Sequence, residues 1–551
     1  MATTVVNQGS IIDECDSLTG WTGADGVATS APTPIESTNR IELQVSSATK
    51  DAYFTISSTS YAAQILMLWF THRAAVDTLA NGGVCVYISD GTNTIAFHVA
   101  GSDKALFRHD DGPSEWQCVA FDTDNPPATI TTIAGSLGSL NWGAITRIGY
   151  RWKTIAKSVG GAVNTFWDIM RRYTAGQGLL ITGGTSGVPG NFVDVAAADR
   201  AVGNQQAFGC FRQLGVGLFG AQASLNFGAT GASTYFSVTG IALVFEARGY
   251  NDDKLGLTMI GGTGFTNELR ITNSTIKSAE SAVAVDFSGT FIDVIDLSGS
   301  TIETQGGAVL TGTDAAAIAG HVYDDTVWRG CGEVNLGQCS WLRAQVLASG
   351  VAADASAAAW TVNADPNGET DGMKFTKGAA AHHALRFGAS APLTMTLTSV
   401  EVSGFHASDG NNDSALYFDD RGSDVTWTVN LSGCTGTFSY KKARAGDTVV
   451  IAASVPVKIT AKDQANDPIQ FVRISMFRIS DGLEILNADS DASGITSGSF
   501  TGSTPAEIKW RCRKGSSGDS PKYVTQSGVG TITASGFDLL VTMPENTINN
   551  A

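Results

Sequence analysis

A chain of 551 residues has room for about three ordinary domains. Its 52 acidic and 35 basic side chains leave a net charge of −17, which argues against a nucleic-acid binder, whose footprint is basic, and against docking on anionic lipid heads. Glycine, at 63 residues, is over-represented while Lys and Glu are few, so the composition points to short strands and tight turns: an all-β chain with helix below roughly 15% of residues.

The N-terminus, Met1-Ala-Thr-Thr-Val-Val-Asn7, lacks a charged segment followed by an apolar one, so no secretory signal is expected. The most apolar stretch, 62–70, is too short to cross a bilayer. From about residue 1 to 250 the pattern is that of a large β-sandwich. Arg40-Ile-Glu-Leu-Gln-Val45 alternates polar and apolar residues with period two, as a half-buried strand does. Further strands are expected at 64–70, 84–88, 94–99, 117–121, 145–152 and 237–246, with Asp90-Gly91 as a hairpin turn.

From about 255 to 440 a weak internal repeat appears. Leu269-Arg-Ile-Thr-Asn-Ser-Thr-Ile276 matches Ile295-Asp-Leu-Ser-Gly-Ser-Thr-Ile302 after 26 residues, and Val334–Trp341 and Val429–Gly436 resemble both. A strand–turn–strand unit cannot bury its own apolar face, so such repeats stack. The expectation is an irregular right-handed parallel β-helix, with a second sandwich as the alternative. From about 441 to 551, strands at 447–452, 457–461, 469–477 and 507–512 and a hairpin at 530–542 turning at Ser535-Gly536 describe a small β-sandwich. Eight scattered cysteines form no CxxC pair and read as buried free thiols, with Cys331 and Cys339 the first pair to test for a bridge.

The densest chemistry-bearing set is Asp409-Gly-Asn-Asn-Asp413 with Asp419, Asp420 and Asp424. Glycoside hydrolysis needs two carboxylates across a groove, which makes Asp413, Asp419, Asp420 and Asp424 the catalytic candidates. Turn-forming Asp and Asn favour solvated loops instead, and the catalytic assignment is none. Asp409, Asn411 and Asp413 alternate as in a calcium loop, but Ser414 stands where Gly is needed and no Glu closes the set. No metal and no cofactor are expected. His382-His383 sit on opposite faces of any strand, and His109-Asp-Asp111 reads as a surface loop. The runs Gly261–Gly264 and Gly183–Gly187 lack the Lys-Ser/Thr end of a phosphate loop and read as turns. Of eleven tryptophans, Trp21, Trp69, Trp116, Trp142, Trp152 and Trp167 fall in the first region. Each is either core or a platform for a sugar ring.

The opening Gly20-Trp21 after a short acidic lead resembles concanavalin-like jelly rolls of bacteriophage structural proteins. The middle resembles the β-helix of tail spikes and fibres. Val472–Ile479 followed by Asp491-Ala-Ser-Gly494 resembles small transthyretin-like end modules. The resemblance implies a virion component, a fibre, spike or capsid decoration, assembled in the host cytoplasm as a homotrimer. Its partners would be other virion proteins and host surface glycan, with no nucleic acid and no membrane insertion. The rival is a tail-spike depolymerase, a glycoside hydrolase or lyase acting on host polysaccharide. A bacterial surface adhesin is disfavoured by the lack of a signal.

Overall fold

A computed structural model describes residues 3–548 apart from 29–38, 46–48, 73–78, 99–116, 125, 127–128, 155–162, 175, 200–210, 222, 246–254, 280–281, 312–319, 333, 336, 338, 350–355, 365, 367–368, 380–381, 502–504, 517 and 534–535. Strands dominate the described residues, and Phe192–Asp199 is the one α-helix among them. The chain is all-β. It divides into two compact units, 1–340 with 345–353 and 378–380, and 341–344 with 354–377 and 381–551.

The first unit opens with a two-sheet antiparallel sandwich. One sheet runs Gln117–Asp122, Gln64–His72, Val163–Thr174, Arg40–Val45, Gly26–Ala28. The other runs Ile130–Ala134, Thr94–His98, Leu79–Ser89, Ile145–Thr154, Lys50–Thr59, Trp21–Thr22. The period-two alternation predicts which side chains point inward. Ile41 and Leu43 are fully buried with Leu66, Leu68, Phe70, Ile88, Phe97, Ile148 and Trp167. Asp90 closes the expected hairpin: its carboxylate accepts from the backbone of Thr92 and Asn93 at 2.8 and 2.6 Å, and from that of Asn141 at 2.9 Å. Burial opposes ionisation there, but these amide bonds, with the Asn93 side chain, hold the carboxyl well below its usual range.

From Leu179 onward most pairing is parallel, well before residue 255, although Phe211–Gly215 runs antiparallel to Leu218–Ala221. Leu179–Thr182, Leu225–Phe227, Leu255–Met259, Val283–Asp286 and Val309–Leu310 stack in one sheet. Leu218–Ala221, Ala242–Phe245, Thr275–Ser278, Thr301–Glu303, Val327–Arg329 and Gln345–Ser349 stack in a second. Thr234–Thr239, Asn267–Thr272, Val294–Asp296 and His321–Val322 form a third. The strands at 218–245 therefore belong to the coils and not to the sandwich that ends near Thr174. The expected strand at 237–246 is two strands, broken at Gly240 with φ of +66°.

Register shows how much of the repeat is real. Leu269 lies beside Ile295 and Ile276 beside Ile302, so these two copies are stacked coils. The third and fourth copies occupy other ladders, Val334 against Val309 and Val429 between Met395 and Ile451. The run at Gly261–Gly264 is a coil corner: a Cβ on Gly261 would collide with the backbone of Phe291, and one on Gly262 with that of Thr230.

Beyond the sequence-based expectation, the helix Phe192–Asp199 closes the first coils. Asn191 accepts from the amides of Val193 and Asp194 at 2.9 and 3.0 Å, and its amide donates to the Asp194 carboxylate. This is a reciprocal N-terminal cap. Phe192 then sits among Phe211, Phe219, Phe227 and Phe236, with ring centroids 5.0–6.3 Å away.

In the second unit, His383–Phe387, Leu416–Phe418 and Tyr440–Lys442 stack in parallel. So do Thr394–Thr398, Thr426–Ser432 and the first half of Thr448–Lys462. That last strand, expected as two, is continuous. Its second half pairs antiparallel with Ile495–Thr501 and parallel with Phe537–Thr542. The coils thus reach Ser454, past residue 440, before the terminal sandwich begins. Its second sheet runs Glu484–Asp489, Arg473–Arg478, Ala506–Arg513, Gln526–Ile532. Val457, Ile459, Val472, Ile474, Met476, Ile508 and Cys512 fill the space between the layers. The expected C-terminal hairpin closes between Thr533 and Gly536, whose backbones bond both ways at 3.2 and 2.9 Å, and its strands then part: Gln526–Ile532 joins one sheet and Phe537–Thr542 the other.

Two outcomes follow from the coil interior of the first unit. Trp328 is fully buried on the ladder between Ile302 and Val346. Trp328→Ala should cost about 3–5 kcal/mol in urea unfolding followed by tryptophan fluorescence and circular dichroism.

His321, 1% exposed, stacks beneath Ile295. Burial pushes its imidazole below the usual value of 6.5, against the backbone of Thr311 and Ile292. Below pH about 6.5 the unfolded chain binds a proton that the folded chain does not, so stability falls as the solution is acidified. The urea midpoint should therefore drop between pH 7.5 and 5.5, and His321→Leu should reduce that drop.

Candidate functional site

The acidic set lies in the second unit, on the segments that connect its coils. After the strand Glu401–Ser403 the chain turns through Gly404 and Gly410, both with positive φ. It re-enters the stack at Leu416–Phe418. Asp409 uses Oδ1 to accept the backbone amide of Tyr440, one coil on, at 2.9 Å. Asn411 turns its amide inward to the carbonyls of Ser408 and Asp409 at 3.0 and 3.3 Å. Asp413 pairs with Lys377 at 2.8 Å, and this bond holds its carboxyl below the usual range despite partial burial. The three candidate calcium ligands are thus spent on three different partners. Among the described residues, no group of three or more His, Cys, Asp or Glu is placed to hold a metal.

Asp419 and Asp420 do not lie on a strand, because the strand ends at Phe418. Asp419 takes both oxygens to the guanidinium of Arg386, at 3.0 and 3.1 Å from Nε. Asp420 turns the other way, accepting from the amide of Gly422 at 2.7 Å and lying 3.5 Å from Arg444. Arg444 also reaches Asp424 at 2.6 Å, so one guanidinium bridges two carboxylates. Asp413 precedes the strand Leu416–Phe418 and Asp419, Asp420 and Asp424 follow it, and every one of them ends on a cation. A general acid needs a carboxyl held protonated near neutral pH, and the Lys377 bond moves Asp413 in the opposite sense.

The cations Lys377, Arg386 and Arg444 were missed in the sequence reading. Their signal is the spacing: Arg386 precedes Asp419 by 33 residues and Lys377 precedes Asp413 by 36, about one coil each. Lys374 and Glu401 are register partners 2.8 Å apart on the same principle.

Among the described residues, the remaining candidates take part in packing. His382 and His383 are both buried, with His383 Nδ1 2.6 Å from the carbonyl of Ser414. Trp69 and Trp167 are core residues. Trp21 lies flat against Tyr150, centroids 6.2 Å apart, and donates to Asp13 at 2.9 Å. Trp142 packs on Phe97. Trp116, the side chain of Trp152 and His109–Asp111 lie outside the described residues. Cys331 and Cys339 are buried free thiols facing different carbonyls, of Ile302 and Thr311.

No family model and no curated protein matches this chain. Among the described residues, no helix is long and apolar enough to cross a membrane.

The pairing pattern separates two kinds of carboxylate. Asp413→Ala strands Lys377, which is 18% exposed, and should cost about 1–2 kcal/mol in denaturant unfolding. Asp420, 49% exposed, should tolerate replacement by Asn within about 0.5 kcal/mol.

Proposed function

We propose that the chain is a non-enzymatic structural and adhesive component of a bacteriophage particle, a fibre, spike or capsid-decorating protein that meets host surface glycan. The observation that carries this reading is the use of the acidic set. Asp413, Asp419, Asp420 and Asp424 all bond to Lys or Arg, so they serve cohesion between coils. The arrangement of sandwich, stacked coils and terminal sandwich supports it as well, since it resembles particle appendages. Such architectures persist outside a cell because large cooperative burial makes unfolding slow.

The same reading makes the assembly a homotrimer. Phe265 and Phe291, 38% and 56% exposed on corners of the first unit's coils, are apolar surface that self-association would cover.

Antibody raised against the chain should label particles in electron micrographs, and light scattering at micromolar concentration should give three times the chain mass. Incubation with host capsular or lipopolysaccharide glycan should release no fragments, from the native chain or from Asp420→Asn. Unlabelled particles would remove the virion assignment. Fragment release by the native chain, lost in Asp420→Asn, would make the protein a depolymerase.

A further inference from the structure

The terminal sandwich carries a cationic face on an acidic chain. Alternation along Ala506–Arg513 buries Ile508 and Cys512 and turns Glu507, Lys509, Arg511 and Arg513 to solvent. Three cations thus stand in a row at about 7 Å spacing, the rise of two strand residues. On the neighbouring strand Arg473 lies directly opposite Arg513, Ser475 opposite Arg511, and Phe477 opposite Lys509. On the other side Ser527 faces Arg511. Like charges directly opposed across strands are destabilising. Asp489, 3.5 Å from Arg473 with both groups about half exposed, offsets little of this. Among the described residues, Lys509, Arg511 and Arg513 have no ion-pair partner, although acidic side chains outnumber basic ones in the chain by 17.

We propose that this outward face binds a linear, carboxylate-bearing polysaccharide. Arginine presents a planar fork that matches a carboxylate in bidentate fashion. Here Arg511 and Arg513 supply two forks on one strand and Arg473 a third beside them. Ser475 and Ser527 flank Arg511 with hydroxyls suited to sugar hydroxyls. Phe477, with the Lys509 ammonium 6.0 Å from its ring centre, offers an apolar surface to a pyranose ring.

A row of spaced cations interrupted by hydroxyls fits a polymer whose charges are separated by neutral groups. Glu484, Asp489 and Glu507 share this face, so it suits widely spaced anionic groups better than duplex DNA, with a charge about every 1.7 Å along its axis. The inference deepens the adhesive reading by naming its ligand class, and it rests on that reading for the biological source of the glycan.

The test uses the full chain with polygalacturonate, neutral dextran and duplex DNA as probes in titration calorimetry. Polygalacturonate should bind, more weakly at high salt, and dextran should not. The double variant Arg511→Glu, Arg513→Glu should keep the native circular dichroism and an equal or higher urea midpoint, because both residues are exposed and Arg513→Glu replaces a repulsion from Arg473 with an attraction. It should lose about tenfold or more in affinity for polygalacturonate. No binding of polygalacturonate, binding unchanged in the double variant, or equal binding of DNA overturns the inference. Particle labelling is scored separately: labelled particles without polygalacturonate binding end this inference alone, and binding with unlabelled particles ends only the virion assignment.

Discussion

Parallel, in-register stacking places each coil residue beside its counterpart one coil away, and most of the chemistry of this protein follows from that constraint. Inside, it sets like on like: Leu269 beside Ile295, Ile276 beside Ile302, Phe387 beside Phe418. Outside, the same rule would align like charges, which repel at strand spacing. The surface therefore alternates in sign from coil to coil. Lys277, Glu303 and Arg329 succeed one another on one ladder, and Lys374 meets Glu401 on another. Arg386 with Asp419 and Lys377 with Asp413 extend the pattern into the connecting segments. A carboxylate recruited to this pattern gives part of its hydrogen-bonding capacity to a cation from another coil. The densest acidic run of the coil region thereby ties neighbouring segments together through ion pairs.

Stacking also creates ends, and an open end exposes unpaired backbone groups that invite unwanted pairing. In the first unit the opening strand Thr4–Asn7 runs antiparallel against Leu179–Thr182 and pairs its edge. Gln8 accepts from Gly178 and Asn226 beside it, at 3.0 and 2.6 Å. The capped helix and its phenylalanine cluster close the apolar interior. In the second unit the end of the coils is not capped but continued. One strand, Thr448–Lys462, pairs in parallel while it belongs to a coil and antiparallel once it enters the sandwich.

Legibility followed the range of the determining interaction. Alternation is local, so Arg40–Val45 and the Asp90 hairpin were readable directly. The 26-residue repeat was readable because two successive coils there have equal length. Between 179 and 245 the strands have three to six residues and unequal links, and nothing local distinguishes such strands from those of a sandwich. Parallel and antiparallel partners differ only in what lies across a long link. The helix has a local signal, Asn191 three residues before Asp194 and then an alanine run, but its eight residues are short for a sequence pattern to mark. The acidic set was visible as a cluster. Its partners were not, because the spacing that links Arg386 to Asp419 has meaning only once the coil length is known.

The terminal sandwich is under a different constraint, and its surface shows it. Antiparallel strands here offset their neighbours through turns of varied length, so no coil rule obliges Arg511 or Arg513 to meet an acid. Register even opposes Arg473 to Arg513, an arrangement that antiparallel pairing tolerates at a cost in stability. That cost can be carried because the sheet's inner face supplies the cohesion, with Ile474, Met476, Ile508 and Cys512 fully buried. The coils use opposite charges to hold themselves together. The terminal sheet, held together by its apolar side, is free to present unpaired charge to whatever approaches.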